Sequence, residues 1–445
     1  MVNSLPKLTF LNHASFMIEN NDSVLLIDPW YEGAAFNQGW NLLDTSIKNC
    51  DVIKKLVDSN KKIFIWFSHE HSDHFSVPFI KKLKNEKIDL TFLYQKTLDG
   101  RIGNFLRKDN FKVLELNDGQ SFHLSTNFEI KNWKYHSGDS YCWIRCADIC
   151  LLNLNDCVVN NSDAAFDIAN KISSKIDILF TQFGYANWVG NESDKEYRSK
   201  VAQEKFERIQ IQAEILKPNI VIPFASFIYF SHSDNFYLND EQNTPEKLRV
   251  AEQLMLLQEN IFFMKPYDQL ILKNGFEIRN KLQVSTKMAE QHWNDLMNKI
   301  QPNINSDSTI GADFLEKKFK KFRNKTFSNF LIAPQILEFF GFIKPLKIEI
   351  TDALIKIELS YIKGFKILNN DVDFDIAMKS DVLDFIFSND YGYNATAVNG
   401  RYKTEYVDAN VKFGRFFSPQ EYLKNGYGLL SPLNTIVMVF KRFFN

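Results

Sequence analysis

Residues 63–83 read IFIWFSHEHSDHFSVPFIKKL. The apolar run from Ile63 to Phe67 has the length and composition of a buried strand. It ends in Ser68-His69-Glu70-His71-Ser72-Asp73-His74. Pro78 follows, then Phe79, Ile80 and Leu83 at helical spacing, so a helix begins there. Three histidines and Asp73 thus crowd a loop between the C-terminal end of a strand and a helix, where open α/β folds place their chemistry. Imidazole and carboxylate are ligands for Zn, Fe or Mn. Only 8 His occur in 445 residues, and three fall in this loop, which argues against a polar loop with chance histidines. The zincin pattern H-E-x-x-H is absent, because Asp73 stands three residues after Glu70. Glu70 reads as a spacer.

The pattern His69-x-His71-x-Asp73-His74 in this context resembles the metal motif of the metallo-β-lactamase superfamily. The resemblance implies an α/β fold, an αββα sandwich. It also implies that His69 and His71 bind one metal ion and that Asp73 and His74 bind a second.

Composition sets the outer limits. A chain of 445 residues can bury a large core and suggests two or three domains. The net charge of -1 offers no basic field for nucleic acid. The 41 Phe read as biased genome composition. The N-terminal stretch lacks a signal-peptide pattern, and no apolar run is long enough to span a membrane, so a cytoplasmic protein without a transmembrane segment is expected. Five Cys, an odd number, argue against a disulfide framework. Cys142, Cys146, Cys150 and Cys157 fall in two strand-like segments with no Cys-x-x-Cys, and read as buried thiols.

Along the chain, residues 7–11, 16–18 and 23–27 read as strands. His13 lies between the first two, and Asp28 ends the third. The segment 31–43, YEGAAFNQGWNLL, lacks periodicity and is long for a plain connection, so it is expected to line a site. Helix 46–56, strand 90–94, helix 97–107 and strand 112–116 give α/β alternation. From Ser121 the strands SFHL, NFEIKNWKYH, YCWIRC and ICLLNL look antiparallel. His136 ends one of them and Asp156 follows another, positions from which a ligand can face a shared cleft. Helix 161–172 and strand 177–181 lead to an aromatic, amide-rich loop with Gln182 and Phe183, a candidate substrate contact. Helix 192–216, strand 220–223 and then His232 follow. Helix 244–258 and the strands IFFM and QLILK close a first domain, 1–275. The remainder, 276–445, reads as a second domain, with helices at 287–300, 312–340 and 381–387 and strand patterns at 345–364 and 371–379. Its tail, NTIVMVFKRFFN, reads as a docked helix or strand.

The superfamily resemblance extends to these positions. It implies His136 as third ligand of the first metal, in preference to His123, and Asp156 as a bridging ligand, in preference to Asp148. It implies His232 as last ligand of the second metal, and Asp28 as a buttress behind the metal loop. His13, Trp40, Gln182 and Phe183 are then second-shell or substrate-binding candidates. Asp73 and His74 would be the catalytic pair. Three segments, LNHASFMI with IDPWYEGAAFNQGWNLL, SHEHSDHFSVPFIKKL, and PFASFIYFSHSDNFY, look like the CMP-N-acetylneuraminate hydroxylase branch. That branch carries a Rieske domain, whose Cys-x-His and Cys-x-x-His pairs do not occur here, so an oxygenase reading requires a separate electron-transfer protein. The second domain resembles a sterol-carrier-protein-like α+β module; a plain α+β accessory domain for homo-oligomer formation or substrate closure fits equally. The leading expectation is a hydrolase with two divalent metal ions, Zn first and Fe or Mn as alternatives. It would act on an ester, amide or phosphoester of an anionic small-molecule substrate. The runner-up is a diiron oxygenase acting on a nucleotide-sugar-like substrate, and the third reading is a non-catalytic, metal-stabilised binding protein.

Overall fold

The strand that carries the metal loop lies inside a seven-stranded sheet. The computed structural model describes residues 5–303 and 308–429, without the side chain of Ser137. The chain opens with β1 (Lys7–Asn12), β2 (Ser15–Glu19), β3 (Ser23–Ile27) and β4 (Trp40–Leu42). Helix α1 (Asn49–Asp58), β5 (Lys62–Phe67), α2 (Val77–Leu83), β6 (Leu90–Gln95), α3 (Arg101–Lys108) and β7 (Lys112–Leu116) continue the alternation. Next come β8 (Gln120–Ser125), β9 (Phe128–Lys134), β10 (Ser140–Cys146) and β11 (Ile149–Asn155). Helix α4 (Ser162–Ile172), β12 (Ile178–Gln182), α5 (Lys195–Leu216), β13 (Ile220–Phe224) and β14 (Ile228–Phe230) follow. Helix α6 (Pro245–Arg249), β15 (Gln269–Ile271) and α7 (Gly275–Met297) complete the first module.

One sheet has the order β15-β1-β2-β3-β5-β6-β7 and the other β13-β12-β11-β10-β9-β8. Side chains of β5 alternate as the period of two requires. Phe64 and Trp66 enter the core between the sheets, whereas Ile63, Ile65 and Phe67 meet Val52, Leu56, Phe79, Ile80 and Leu106 of α1 to α3 on the outer face. Helices α4 and α5 contribute Ile168, Phe206 and Ile209 to the core that includes the second sheet. The layers are therefore helix, sheet, sheet, helix, as the motif implied.

Strands β1 and β3 both run antiparallel to β2, and β3 runs parallel to β5. Their C-terminal ends meet at one edge. In the second sheet β11, β12 and β13 are parallel and end at the corresponding edge, where the Ala225 amide donates to the His13 carbonyl across the sheets (2.9 Å). Sequence patterns that named strand ends therefore named one rim.

Helix α7 packs on the first core, away from the second half to which the 275/276 boundary assigned it. Trp293 stacks on Phe227 at 3.8 Å and donates to the Met264 carbonyl at 2.8 Å. The expected strand IFFM forms only an isolated bridge at Ile261, and the expected helix 244–258 is the short α6 followed by 3-10 turns over Glu252–Asn260. The expected helix 312–340 is two, α8 (Ala312–Phe330) and α9 (Ala333–Phe339), separated where Leu331 takes a left-handed φ of 53°.

A separate apolar cluster begins at Leu315 and runs to Phe417. It surrounds the strands β16 (Leu346–Ile350), β17 (Ile355–Ser360), β18 (Gly364–Leu368), β19 (Ile376–Met378) and β20 (Lys403–Thr404), ordered β18-β17-β16-β19-β20. Helices α10 (Ser380–Ser388), α11 (Gly392–Asn399) and α12 (Ala409–Lys424) pack on it. This α+β module is docked on the first through backbone-level contacts. Asn399 Nδ2 donates to the Phe36 carbonyl (2.9 Å), and Asn235 Nδ2 donates to the Gly39 and Asn399 carbonyls (3.0 and 2.6 Å). Gly39 is required for that approach, since a Cβ there would lie 2.4 Å from Asn399 Cβ. No described helix is long and apolar enough to cross a membrane. The tail 434–445 lies outside the described residues.

Candidate metal centre

Parallel pairing of Ile27 with Trp66 sets Asp28 beside Ser68. The Ser68 amide donates to Asp28 Oδ1 and its hydroxyl to Asp28 Oδ2, both at 2.8 Å. Asn155 Nδ2, from the end of β11, also donates to Asp28 Oδ2, and His74 Nδ1 lies 3.1 Å from the same oxygen. One fully buried carboxylate thus ties the metal loop to both sheets. His13, Asp28, Asn155 and Ala225, each just past or at a strand end, adopt left-handed φ of 38°, 37°, 52° and 50°. Such backbone strain collects where geometry is over-determined.

Past Ser68 the loop turns sharply, with the His74 and Phe75 amides donating to the His71 carbonyl (3.0 and 2.7 Å). Phe75 anchors the turn on Phe67 and Phe105. Ser76 then caps α2, accepting from the Phe79 amide at 3.4 Å, with Pro78 in the first turn. The segment 31–43 does cover the loop. Ser72 Oγ accepts from the Phe36 amide (3.0 Å), and the Phe36 ring lies 5.4 Å from His71.

Two groups of ligand-bearing side chains result, His13 with Asp73 and His74, and His69 with His71 and Asp156; in each, one donor atom per residue lies within 4.8 Å of the others. Asp156 reaches both groups, with Oδ2 3.3 Å from His74 Nε2 and 3.9 Å from His69 Nε2. The site passes a test for metal. Among the described residues, His69 Nε2 and Asp73 Oδ1 are buried and have no hydrogen-bond partner, and His74 Nε2 faces only the carboxylates of Asp73 and Asp156. Such groups are costly unless something coordinates them. Outer partners fix the rings as metal-ligating histidines require. Ser68 Oγ lies 2.8 Å from His69 Nδ1, Asp28 holds His74 Nδ1, and Asn394 Oδ1 of the second module lies 3.0 Å from His71 Nε2.

Without metal, the electrostatics show the same design. Burial opposes charge on His74, but Asp73 and Asp156 overcome it and raise its pKa well above normal. Burial alone would raise Asp73; the His74 charge and the His13 bond instead hold it well below the usual carboxylate range. Burial, then the His74 and His71 charges, lower His69. A proton on His74 occupies the place a cation would take, so metal binding must release it.

The pairings His69/His71 and Asp73/His74 come together, but their third partners differ from the expected ones. His136 stands in a 3-10 turn with its ring exposed, edge-on to Tyr135 at 5.0 Å, and belongs to neither group. What that turn sends into the cavity is Asp139. His232 is buried outside both groups, with Nδ1 3.1 Å from Asp234 Oδ2; Asp234 in turn binds Lys379 and Arg401, so this histidine serves the junction between modules. His13 stands where His232 was expected. Trp40 and Phe183 are 1% exposed and packed among aromatic rings, Trp40 behind Phe36, so neither is placed to touch a substrate. Gln182 Nε2 donates to Asp156 Oδ1 (3.0 Å), which aims Oδ2 at the histidines. Cys142, Cys146, Cys150 and Cys157 are buried thiols, and no described candidate metal group includes one.

Four groups had no readable signal at the sequence level: Asn155, Asp139, Asn394 and Lys424. Asp139 lines a cavity of about 330 Å³ together with His69 and His71. Burial, with Asp156 adding to it, raises its carboxyl to about 7. A carboxyl raised in the folded state binds more protons than in the unfolded chain, so metal-free protein should lose stability as pH rises from about 4 to about 7. Asp139→Asn is expected to flatten that decline; thermal midpoints measured across this range check it, and parallel curves for both proteins would contradict it.

Comparison with known proteins bears on the fold. Residues 7–225 match the family model described as a beta-lactamase superfamily domain. Cytidine monophosphate-N-acetylneuraminic acid hydroxylase of Xenopus laevis is 26% identical over 267 residues, covering 57% of this chain and 43% of the relative. The inactive Homo sapiens counterpart is 25% identical over 259 residues, covering 54% and 49%. The chain therefore spans less than half the length of these relatives. Among solved structures, CmlA, a diiron beta-hydroxylase from Streptomyces venezuelae, aligns with TM-score 0.41 and 15% identity over 60% of this chain and 54% of its own. Igni18, a metallo hydrolase from Ignicoccus hospitalis, aligns with TM-score 0.39 and 15% identity over 61% and 100%. Motif, sheet order and family match converge on one stretch: residues 7–225 match a beta-lactamase superfamily domain, and the first module has the metallo-β-lactamase fold.

Proposed function

We propose that the protein is a dinuclear metal-dependent hydrolase of an anionic small molecule carrying an ester, amide or phosphoester. The observation that supports this reading is Asp156, one carboxylate within reach of two three-residue ligand groups. His69, His71 and Asp156 would hold one ion; His13, Asp73 and His74 would hold the other. Zinc is the first expectation for an all-imidazole and carboxylate set, with iron or manganese as alternatives. Bound there, two such ions would supply acidification of a water and polarisation of the attacked oxygen. The remaining work falls to the chain. Asp28 and Ser68 keep the histidine rings in one tautomer and orientation. Asp139, in the cavity wall, would take a proton from the attacking water and return it to the leaving atom. The aromatic segment 31–43 shields His71 from solvent.

A second reading, oxygenation by two irons, draws on the hydroxylases to which residues of this region are 25–26% identical. It would need a source of electrons. Metal analysis of protein purified without added metal separates the two, combined with turnover of bis(p-nitrophenyl) phosphate and p-nitrophenyl esters under nitrogen. The hydrolase reading expects two zinc ions and oxygen-independent turnover. Two irons, with oxygen uptake on cytidine monophosphate-N-acetylneuraminic acid and a reductant, would replace it with the oxygenase.

A further inference from the structure

The cavity beside the metal centre is lined in part by the second module. His69, His71 and Glu70 line one wall, and Lys424, Asn425 and Tyr427, at the end of α12, line another. The Lys424 side chain is only 5% exposed, so its stem is buried and its ammonium tip lies at the cavity wall. Its nearest acid, Glu70, is 3.7 Å away, beyond hydrogen-bond distance. Glu70 is already held by Arg101 Nη2 at 2.5 Å. An ammonium at a cavity wall, with three donors and no hydrogen bond to its Nζ among the described residues, is a poor structural element and a good receptor for an anion. Its proximity to the centre is evident in His71, where burial is the largest influence lowering the pKa and the Lys424 charge is the next. The carboxylate or phosphate of a substrate resting on Lys424 would lie in the cavity that His69 and His71 line.

We propose that Lys424 is the anion anchor of the substrate, so that the second module supplies part of the substrate site. This rests on the hydrolase or oxygenase reading only for the word substrate; anion binding itself does not. Glu70, a spacer by its place in the motif, then competes weakly for the ammonium.

The test is calorimetric titration of the full-length, metal-loaded protein with inorganic phosphate and, in a second arm, acetate. Lys424→Met is expected to weaken the anion by about ten-fold or more, the worth of a charge-assisted hydrogen bond. Lys424→Arg should stay within about three-fold of the parent, and Glu70→Gln should tighten binding several-fold. Tighter binding of phosphate marks a phosphate-bearing substrate, and tighter binding of acetate a carboxylate. Equal affinity in parent and Lys424→Met at equal metal content overturns the proposal, as does no anion binding by the parent. Should Lys424→Met fail to fold, an unchanged affinity in Glu70→Gln overturns it. Parent protein without metal would defeat the proposed function while leaving a Lys424-dependent anion site intact.

Discussion

Asp28→Asn is expected to destabilise the protein by about 3–5 kcal/mol, the penalty for breaking a buried charge network by removing one partner. Asp28 accepts from the Ser68 amide, the Ser68 hydroxyl and Asn155, and meets His74 Nδ1 at 3.1 Å. An amide presents a single acceptor oxygen and turns its own N–H groups against those donors. The exchange is clean because Asn tolerates the left-handed backbone, φ 37°, that Asp28 adopts. Metal affinity should fall as well, by about 10–100-fold, as for other outer partners of ligating histidines. Urea unfolding and equilibrium dialysis with zinc measure the two effects. An unchanged midpoint with unchanged affinity would show that Asp28 is incidental.

Asp156→Ala is expected to abolish the two-metal stoichiometry and to lower turnover by about a thousand-fold, the equivalent of roughly 4 kcal/mol of lost charge stabilisation in the transition state. Its carboxylate lies within 4 Å of a histidine from each set, 3.3 Å from His74 and 3.9 Å from His69. The substitution also removes the acceptor of the Gln182 Nε2 bond and one of the two carboxylates beside His74, so stability of the metal-free protein should fall as well. Elemental analysis and steady-state rates decide it. Two metals retained at full occupancy would remove Asp156 from the centre.

The layers of the fold and the rim of the site were legible because they depend on short-range pattern. Alternation in β5 and the strand–loop–helix run into α2 need only neighbouring residues. So did the histidine pair at 69 and 71 and the pair at 73 and 74. The partners recruited from elsewhere were harder. His136 sits at the correct rim, yet a single 3-10 turn rotates its ring to solvent and sends Asp139 inward instead. His232 follows the expected helix and strand, yet Asp234, Lys379 and Arg401 draw it into the junction between modules. Only topology brings β1 next to β13, which is why His13 looked secondary. Helix α7 was misassigned for a similar reason: its apolar stripe, Ile278, Leu282, Ala289 and Trp293, says that it packs but not on which core.

The contact between Asn394 and His71 joins residues 323 positions apart in the chain. A ring held from behind by a second module makes metal occupancy and module docking two readings of one equilibrium. Whatever factor docking adds to metal affinity, bound metal must add to docking, since the coupling free energy is the same in both directions. Scarcity of metal would then be felt as a loosening between the halves, and the covering of the cavity by α12 would depend on the ion that the cavity serves.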